Sequence, residues 1–264
     1  MSDDAKTKAD SAVSLPLPLA TRLRAFTPAR VGLARTGVSL ETRDLLDFQR
    51  CHAEARDAVH SRLQAGPLAA TLAAVTHAEV LRLHSAAPDR ATYLQRPDLG
   101  RTLDETSRVL LARNVPSVDS NESTLSLVVA DGLSALAVER HATPLLSELL
   151  PRLDNWELAP VCVVEQGRVA IGDPIGQALG AQVSIVLIGE RPGLSSPDSL
   201  GAYITWAPCP GRTDAERNCI SNIRAEGLSY AQAAAQLSYY LIEARRRQLT
   251  GIALKEAARA LKEG

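Results

Sequence analysis

Aromatic side chains supply only 3% of this 264-residue sequence: two Trp, two Phe and five Tyr. A base-stacking platform for single-stranded nucleic acid needs more rings than that, and the core must be built from Leu, Val and Ala instead. Lysine is also scarce, occurring only at Lys6, Lys8, Lys255 and Lys262, so nearly all of the 29 basic residues are arginine. Arginine favours fixed, bidentate contacts, although genome composition produces the same bias. With 30 acidic residues the net charge is −1, which leaves no electrostatic footprint for nucleic acid or a membrane. Cys51, Cys162, Cys209 and Cys219 form no CxxC pair, so a reducing, cytoplasmic setting is expected rather than a disulfide framework. No apolar run approaches the length of a membrane span. The polar, Pro-interrupted start carries no long apolar segment, so no secretory leader is expected there.

Familiar catalytic signatures are missing too. No GxGxxG follows a strand-like segment, and there is no Walker A lysine loop. The five histidines form no HExxH; His77 and His84, seven apart, read as ordinary helix-face residues. Cys51-His52 reads as helix packing, because no oxyanion-type loop accompanies it.

What is present is a globular composition, 45% hydrophobic and 22% charged. Residues 1–35 read as a flexible lead with a short amphipathic piece at 19–26. Residues 36–118 read as helical. Ser39 is the expected N-cap of a long helix ending near Gly66-Pro67, with Leu45, Phe48, Cys51 or His52, Ala55 and Val59 on one stripe. Further helices are expected at 68–83 and 103–112, with Pro88, Pro97 and Pro116 in the connections.

From about Ser123 the pattern changes. TLSLVVADG reads as a buried strand ending in an Asp-Gly turn, LSALAVERHATPLLSELL as a helix despite Pro144, and VCVVEQGRVAIGD as another extended stretch. There the chain either turns back at Gln166-Gly167 or runs on as a loop. Asp173 with Pro174 behind it suggests a helix start, Gly180 a stop, and QVSIVLIGE a further strand. Residues 202–206 read as a short strand; Ser229 and Gln232 form a capping box for a last helix that Gly251 ends. Alternating strands and helices imply an α/β fold with a mainly parallel, Rossmann-like sheet over 119–264. Ligands in such sheets bind beyond the carboxyl ends of the strands.

The densest polar segment, residues 189–224 (GERPGLSSPDSLGAYITWAPCPGRTDAERNCISNIR), starts at one of those ends. Its first loop is longer than sheet topology requires. Glu190 and Arg191 offer charges, Asp198 a turn cap at Ser199, and Thr213 with Glu216 a second capping box. No nucleophile triad, acid–base pair or metal cluster stands out in it. The segment suits gripping a ligand or partner better than reacting with one.

At these residues the chain resembles the small subunit of ethanolamine ammonia-lyase. The runs that carry the resemblance are RDLLDFQRCHAEARDAVH, VVADGLSALAVERHATPLL, IGERPGLSSPDSLGAYITWAPCPGRTDAERNCISNIR and EGLSYAQAAAQLSYYL, spread over most of 36–255. The resemblance implies an adenosylcobalamin-dependent lyase that converts ethanolamine to acetaldehyde and ammonia. In it a larger TIM-barrel subunit holds the substrate, and the cofactor supplies the radical chemistry. It implies a hexamer of heterodimers, and it implies that Val169, Glu190 and Cys219 match positions that touch the cobalamin, with Arg191, Ser195 and Asn218 as neighbours. None of the five histidines sits in a DxHxxG setting, so a base-on cobalamin is expected. Trp206 and Cys209 depart from the family pattern, where tyrosine and a basic residue are expected. The competing reading is a non-enzymatic scaffold or a protein that targets a bacterial microcompartment.

Overall fold

The structure, a computed structural model, describes residues 19–27, 29–33, 35–114 and 123–255. Most of the expected N-terminal lead and Pro116 lie outside the described residues. The chain forms two compact units, one running to Cys51 and the other starting at His52.

In the first unit, helix α1 (Leu19–Arg24) precedes a two-residue-turn hairpin, β1 (Arg35–Thr36) and β2 (Ser39–Leu40). Gly37 takes φ +62° in that turn, the left-handed conformation such turns require. Ser39 therefore belongs to a strand rather than an N-cap, and helix α2 (Thr42–His60) starts two residues later than expected. It also ends sooner, because Gly66 and Pro67 lie in the first turn of the next helix, α3 (Ala65–Thr76).

The second unit is built on one mixed sheet. Its strands are β3 (Val80–His84), β4 (Thr124–Ala130), β5 (Glu157–Leu158), β6 (Val161–Glu165), β7 (Val183–Gly189), β8 (Leu200–Trp206) and β9 (Arg217–Ile223). Between them run helices α4 (Arg90–Gln95), α5 (Glu105–Arg113), α6 (Ala135–Leu149) and α7 (Gly172–Ala178); α8 (Tyr230–Arg247) and α9 (Ile252–Lys255) follow β9. The order is β3-β6-β4-β7-β8-β9, with β5 beside the start of β4. β3, β6, β4 and β7 are parallel to one another; β8 and β9 are antiparallel additions at one edge.

Two expectations change here, and one open alternative is decided. The stretch expected to be one helix to Leu83 breaks at His77, which takes φ 54°, and continues as the edge strand β3. RNCISNI, read as loop, is β9: Ile220 and Ile223 are buried against the core while Cys219, Ser221 and Asn222 face outward. After β6 the chain runs on through a short 3-10 turn at Val169–Ile171 rather than turning back.

β4 and β7 are buried along their whole length, because helices cover both faces and no alternation is needed. One face packs on α3, α6 and α8 through residues such as Leu72, Leu145 and Leu237. The other packs on α5 and α7 through Leu111, Ile175 and Leu179. Each such aliphatic side chain contributes about 1.5–3 kcal/mol by leaving water. Ser134 caps α6 by accepting from the Ala137 N–H at 3.3 Å, and the Ser229–Gln232 capping box starts α8 as expected. That last helix ends at Arg247 with Gln248 left-handed at φ 56°, ahead of Gly251.

Candidate functional site

The carboxyl ends of β4, β6 and β7 converge on Asp131-Gly132, Gln166–Val169 and Gly189-Glu190. Gly132 is left-handed (φ +55°), and a side chain on it would run into the backbone carbonyl of Gly189. A side chain on Gly189 would in turn strike the carbonyls of Ser134 and Asp131. The β4 and β7 turns thus touch backbone to backbone, which glycine alone permits.

A buried polar network braces this junction. Arg90, 7% exposed, donates from Nη1 to Asp131 Oδ2 (3.3 Å), to the Gly132 carbonyl (2.9 Å) and to Gln166 Oε1 (3.2 Å). Its Nε donates to the Val59 carbonyl at 2.7 Å. Asp131 Oδ1 accepts the Gly167 N–H at 3.0 Å, and the Tyr93 hydroxyl donates to the Gly167 carbonyl at 2.9 Å. Burial pushes the Asp131 carboxyl up to about 6, against the pull of Arg90 and the Gln166 and Gly167 N–H groups. The turn leading to Val169 is therefore held from two sides.

Beside it the sheet is partly exposed, at Tyr203 and Cys219. β8 alternates, with Leu200, Ala202 and Ile204 in the core and Gly201, Tyr203 and Thr205 on the opposite face. That opposite face is covered by α7 over β4 and β7, whereas Cys219, the partner of Tyr203 in register, is exposed on β9. Tyr203 is half-buried there; its hydroxyl is raised well above the usual tyrosine range, first by burial and then by the neighbouring Cys219.

Glu190, directly after β7, turns onto the same area. Its Oε2 accepts from the Ser199 hydroxyl and from the Asn222 N–H at 3.2 Å. Asn222 itself is left-handed at φ 59°, which aims its N–H away from the ladder. Glu190 Oε1 accepts nothing among the described residues. A side chain at Gly201 would stand 3.1 Å from that oxygen and 3.3 Å from the Tyr203 ring, so Glu190 and Tyr203 pack closely over the glycine.

Farther along the same two strands lies a buried ion pair. Arg217 Nη1 and Nη2 donate to Asp173 Oδ1 and Oδ2, both at 2.7 Å, with each side chain 2% exposed. Arg217 also donates to Thr205 Oγ1 at 2.8 Å and to the Arg212 carbonyl at 3.0 Å. Asp173 was expected to cap a helix. Instead it sits inside the first turn of α7 and ties that turn to β9.

Of the residues singled out in the sequence, Glu190 and Cys219 both adjoin Tyr203; Val169 lies beyond β6, with β4 and β7 between that strand and β8, and packs on the same α7-side core cluster. Asn218 points the other way: its amide pairs with the backbone of Gly251 at 2.8 and 3.0 Å. Arg191 is exposed, and Ser195 is exposed with its carbonyl accepting from Arg224 at 3.2 Å. Asp198 pairs with Arg140 at 2.8 Å and with His141 at 3.4 Å rather than capping Ser199. Sequence reasoning missed Gly201, Tyr203, Ser199 and Asn222. The alternation in LGAYITW was the signal that places Gly201 and Tyr203 on one face. No group of three His, Cys, Asp or Glu residues among the described residues converges to hold a metal ion.

The fold defines an α/β protein with a mixed sheet, in which Glu190, Tyr203 and Cys219 lie together beside the β4–β7 junction. A model of the family described as ethanolamine ammonia-lyase light chain (EutC) matches residues 19–255. An ethanolamine ammonia-lyase small subunit from Ralstonia nicotianae is 57% identical over 238 residues, 89% of this chain and 87% of that protein. The small subunit from Xanthomonas campestris pv. campestris is 57% identical over 239 residues, 90% and 87% of the two chains. That from Pseudomonas fluorescens is 58% identical over 238 residues, 89% and 86%. The chain belongs to the ethanolamine ammonia-lyase light-chain family.

Proposed function

We propose that this chain is the small subunit of an adenosylcobalamin-dependent ethanolamine ammonia-lyase and helps hold a base-on cobalamin at the interface with the large subunit. The observation that carries the reading is Glu190: one carboxylate oxygen is anchored by Ser199 and Asn222, and the other, over Gly201 and beside Tyr203, accepts no hydrogen bond among the described residues. A corrin carries amide side chains around a flat ring, so an anchored acceptor beside a partly exposed sheet face fits it. Cys219 and Val169 offer contact area rather than reactivity. When bound, the cofactor supplies the radical chemistry that turns ethanolamine into acetaldehyde and ammonia.

This chain's own residues bind and orient. Glu190 receives an amide N–H, Val169 and Cys219 supply contact area, and the Asp131–Gly167 contact fixes the turn that presents Val169. Substrate is held mainly by the large subunit, in a hexamer of heterodimers. No helix among the described residues is long and apolar enough to cross a membrane.

A second reading, a scaffold or microcompartment-targeting protein, draws on the exposed Leu19, Leu23 and Phe26 along and just beyond α1. Reconstitution separates the two. The isolated chain is expected to be inactive and to restore turnover when mixed with the large subunit, and the complex to show a cobalamin absorbance spectrum. In that complex Glu190→Ala is expected to raise the apparent KM for adenosylcobalamin about tenfold, the cost of one hydrogen bond to a charged group. The KM for ethanolamine should barely move. An unchanged cofactor requirement removes Glu190 from the site, and turnover by the chain alone refutes the subunit reading.

A further inference from the structure

A cavity opens at the carboxyl ends of β4, β6 and β7, bordered by Leu133, Arg168 and Arg191. It has a volume of about 530 Å³, within the range of pockets that enclose small organic ligands. Its floor is apolar, formed by Ala55, Leu94 and Leu133. Its charged lining is of one sign: Arg56, Arg168 and Arg191 border it, and neither aspartate nor glutamate does.

The three guanidinium groups are placed differently. Arg168 is fixed: it stacks 4.2 Å over the Tyr93 ring and donates from Nη2 to the Tyr93 carbonyl at 3.3 Å. Its buried Nε has no hydrogen-bond partner. Arg191 is exposed and forms no ion pair among the described residues. Arg56 is exposed, and its contact with the adjacent Asp57, at 3.4 Å, is itself solvent-facing. Such surface pairs hold their partners weakly. One preorganised and two adaptable guanidiniums beside apolar residues suit a phosphate oxyanion carried on an organic body. Arginine matches phosphate oxygens through paired N–H donors.

We infer that this cavity is a binding site for a phosphate ester. Two sources share that chemistry: the phosphodiester in the nucleotide tail of cobalamin, which rests on the function proposed above, and a free phosphate ester, which does not.

The test uses the complex of this chain with the large subunit and the double variant Arg56→Gln/Arg191→Gln, both exposed positions that leave the core intact. Inorganic pyrophosphate titrated calorimetrically should bind the unaltered complex and bind the variant about tenfold more weakly or worse. The second arm compares adenosylcobalamin with adenosylcobinamide, which has the same corrin but lacks the phosphodiester and nucleotide, by absorbance titration. If the variant weakens only adenosylcobalamin, the cavity holds the cofactor's own phosphodiester. If it loses pyrophosphate but binds both corrinoids normally, the ligand is a free phosphate ester. Equal weakening of both corrinoids, or pyrophosphate and cobalamin binding that match the unaltered complex, overturns the proposal. A complex that binds pyrophosphate through these arginines yet takes up no corrinoid sinks the cobalamin reading and leaves the cavity's assignment standing.

Discussion

Removing Asp173 is the sharpest perturbation of the link between α7 and β9. Asp173→Ala leaves the Arg217 guanidinium buried at 2% exposure with its two 2.7 Å charge-assisted bonds gone. Its remaining close acceptors are Thr205 Oγ1 and the Arg212 carbonyl, and Asp214, at 3.7 Å, is a solvent-facing carboxylate that compensates little. Breaking a buried pair from one side costs about 3–5 kcal/mol, a large share of the roughly 5–15 kcal/mol that holds a domain folded. Urea unfolding followed through Trp156 and Trp206 should show the midpoint falling by about 2 M, taking a slope of about 2 kcal/mol/M. Removing both partners, as Asp173→Leu with Arg217→Met, strands no charge and should recover much of the loss. The double-mutant cycle should give a coupling of about 2 kcal/mol or more. A coupling below about 0.5 kcal/mol would show that the pair is not what joins α7 to β9, and the argument for a rigid link would fail.

Two further outcomes follow from the β4–β7 junction. The Asp131 carboxyl is raised from 3.8 to about 6 by burial, so the folded chain keeps a proton that the unfolded chain has lost. Its contribution to stability is therefore present below about pH 4 and is lost as pH rises to about 6, a change of roughly 3 kcal/mol at 1.36 kcal/mol per unit. Glu216, lowered to about 2 mainly by the Thr213 N–H and Arg212, acts in the opposite sense, its share vanishing as pH falls below about 4.5. Comparing urea midpoints of the unaltered chain and Asp131→Asn across pH 4–7 isolates the first effect; parallel curves would refute it. Gly189→Ala should cost about 3 kcal/mol, since the added carbon meets backbone carbonyls that have no rotamer to yield. A melting temperature within a degree of the parent would contradict that close approach.

Much of the architecture was legible because its causes are local. TLSLVVA and VSIVLIG are continuous aliphatic runs, and only a strand buried on both faces needs them. The Ser229–Gln232 box and the left-handed Gly180 are signals contained within four or five residues. β3 and β9 were not legible, because each is a strand only through its neighbour. VLRLH gains its ladder from β6, and the polar RNCISNI gains its ladder from β8. Asp173 misled for the same reason: its position after a turn advertises a cap, while its actual partner is 44 residues away in sequence.

The candidate site divides along the same line. Glu190 and Cys219 are proposed through the family resemblance, and a long polar loop at a strand end marks their neighbourhood. That Glu190 spends one oxygen on Ser199 and Asn222 and keeps the other free is a matter of tertiary geometry. So is the sharing of one sheet face by Gly201, Tyr203 and Cys219. Local propensity and patterning wrote the central strands and helices into the sequence. The edge strands, the buried Asp173–Arg217 pair and the arginine-lined cavity arise from contacts between distant segments, whose energies no short window of sequence contains.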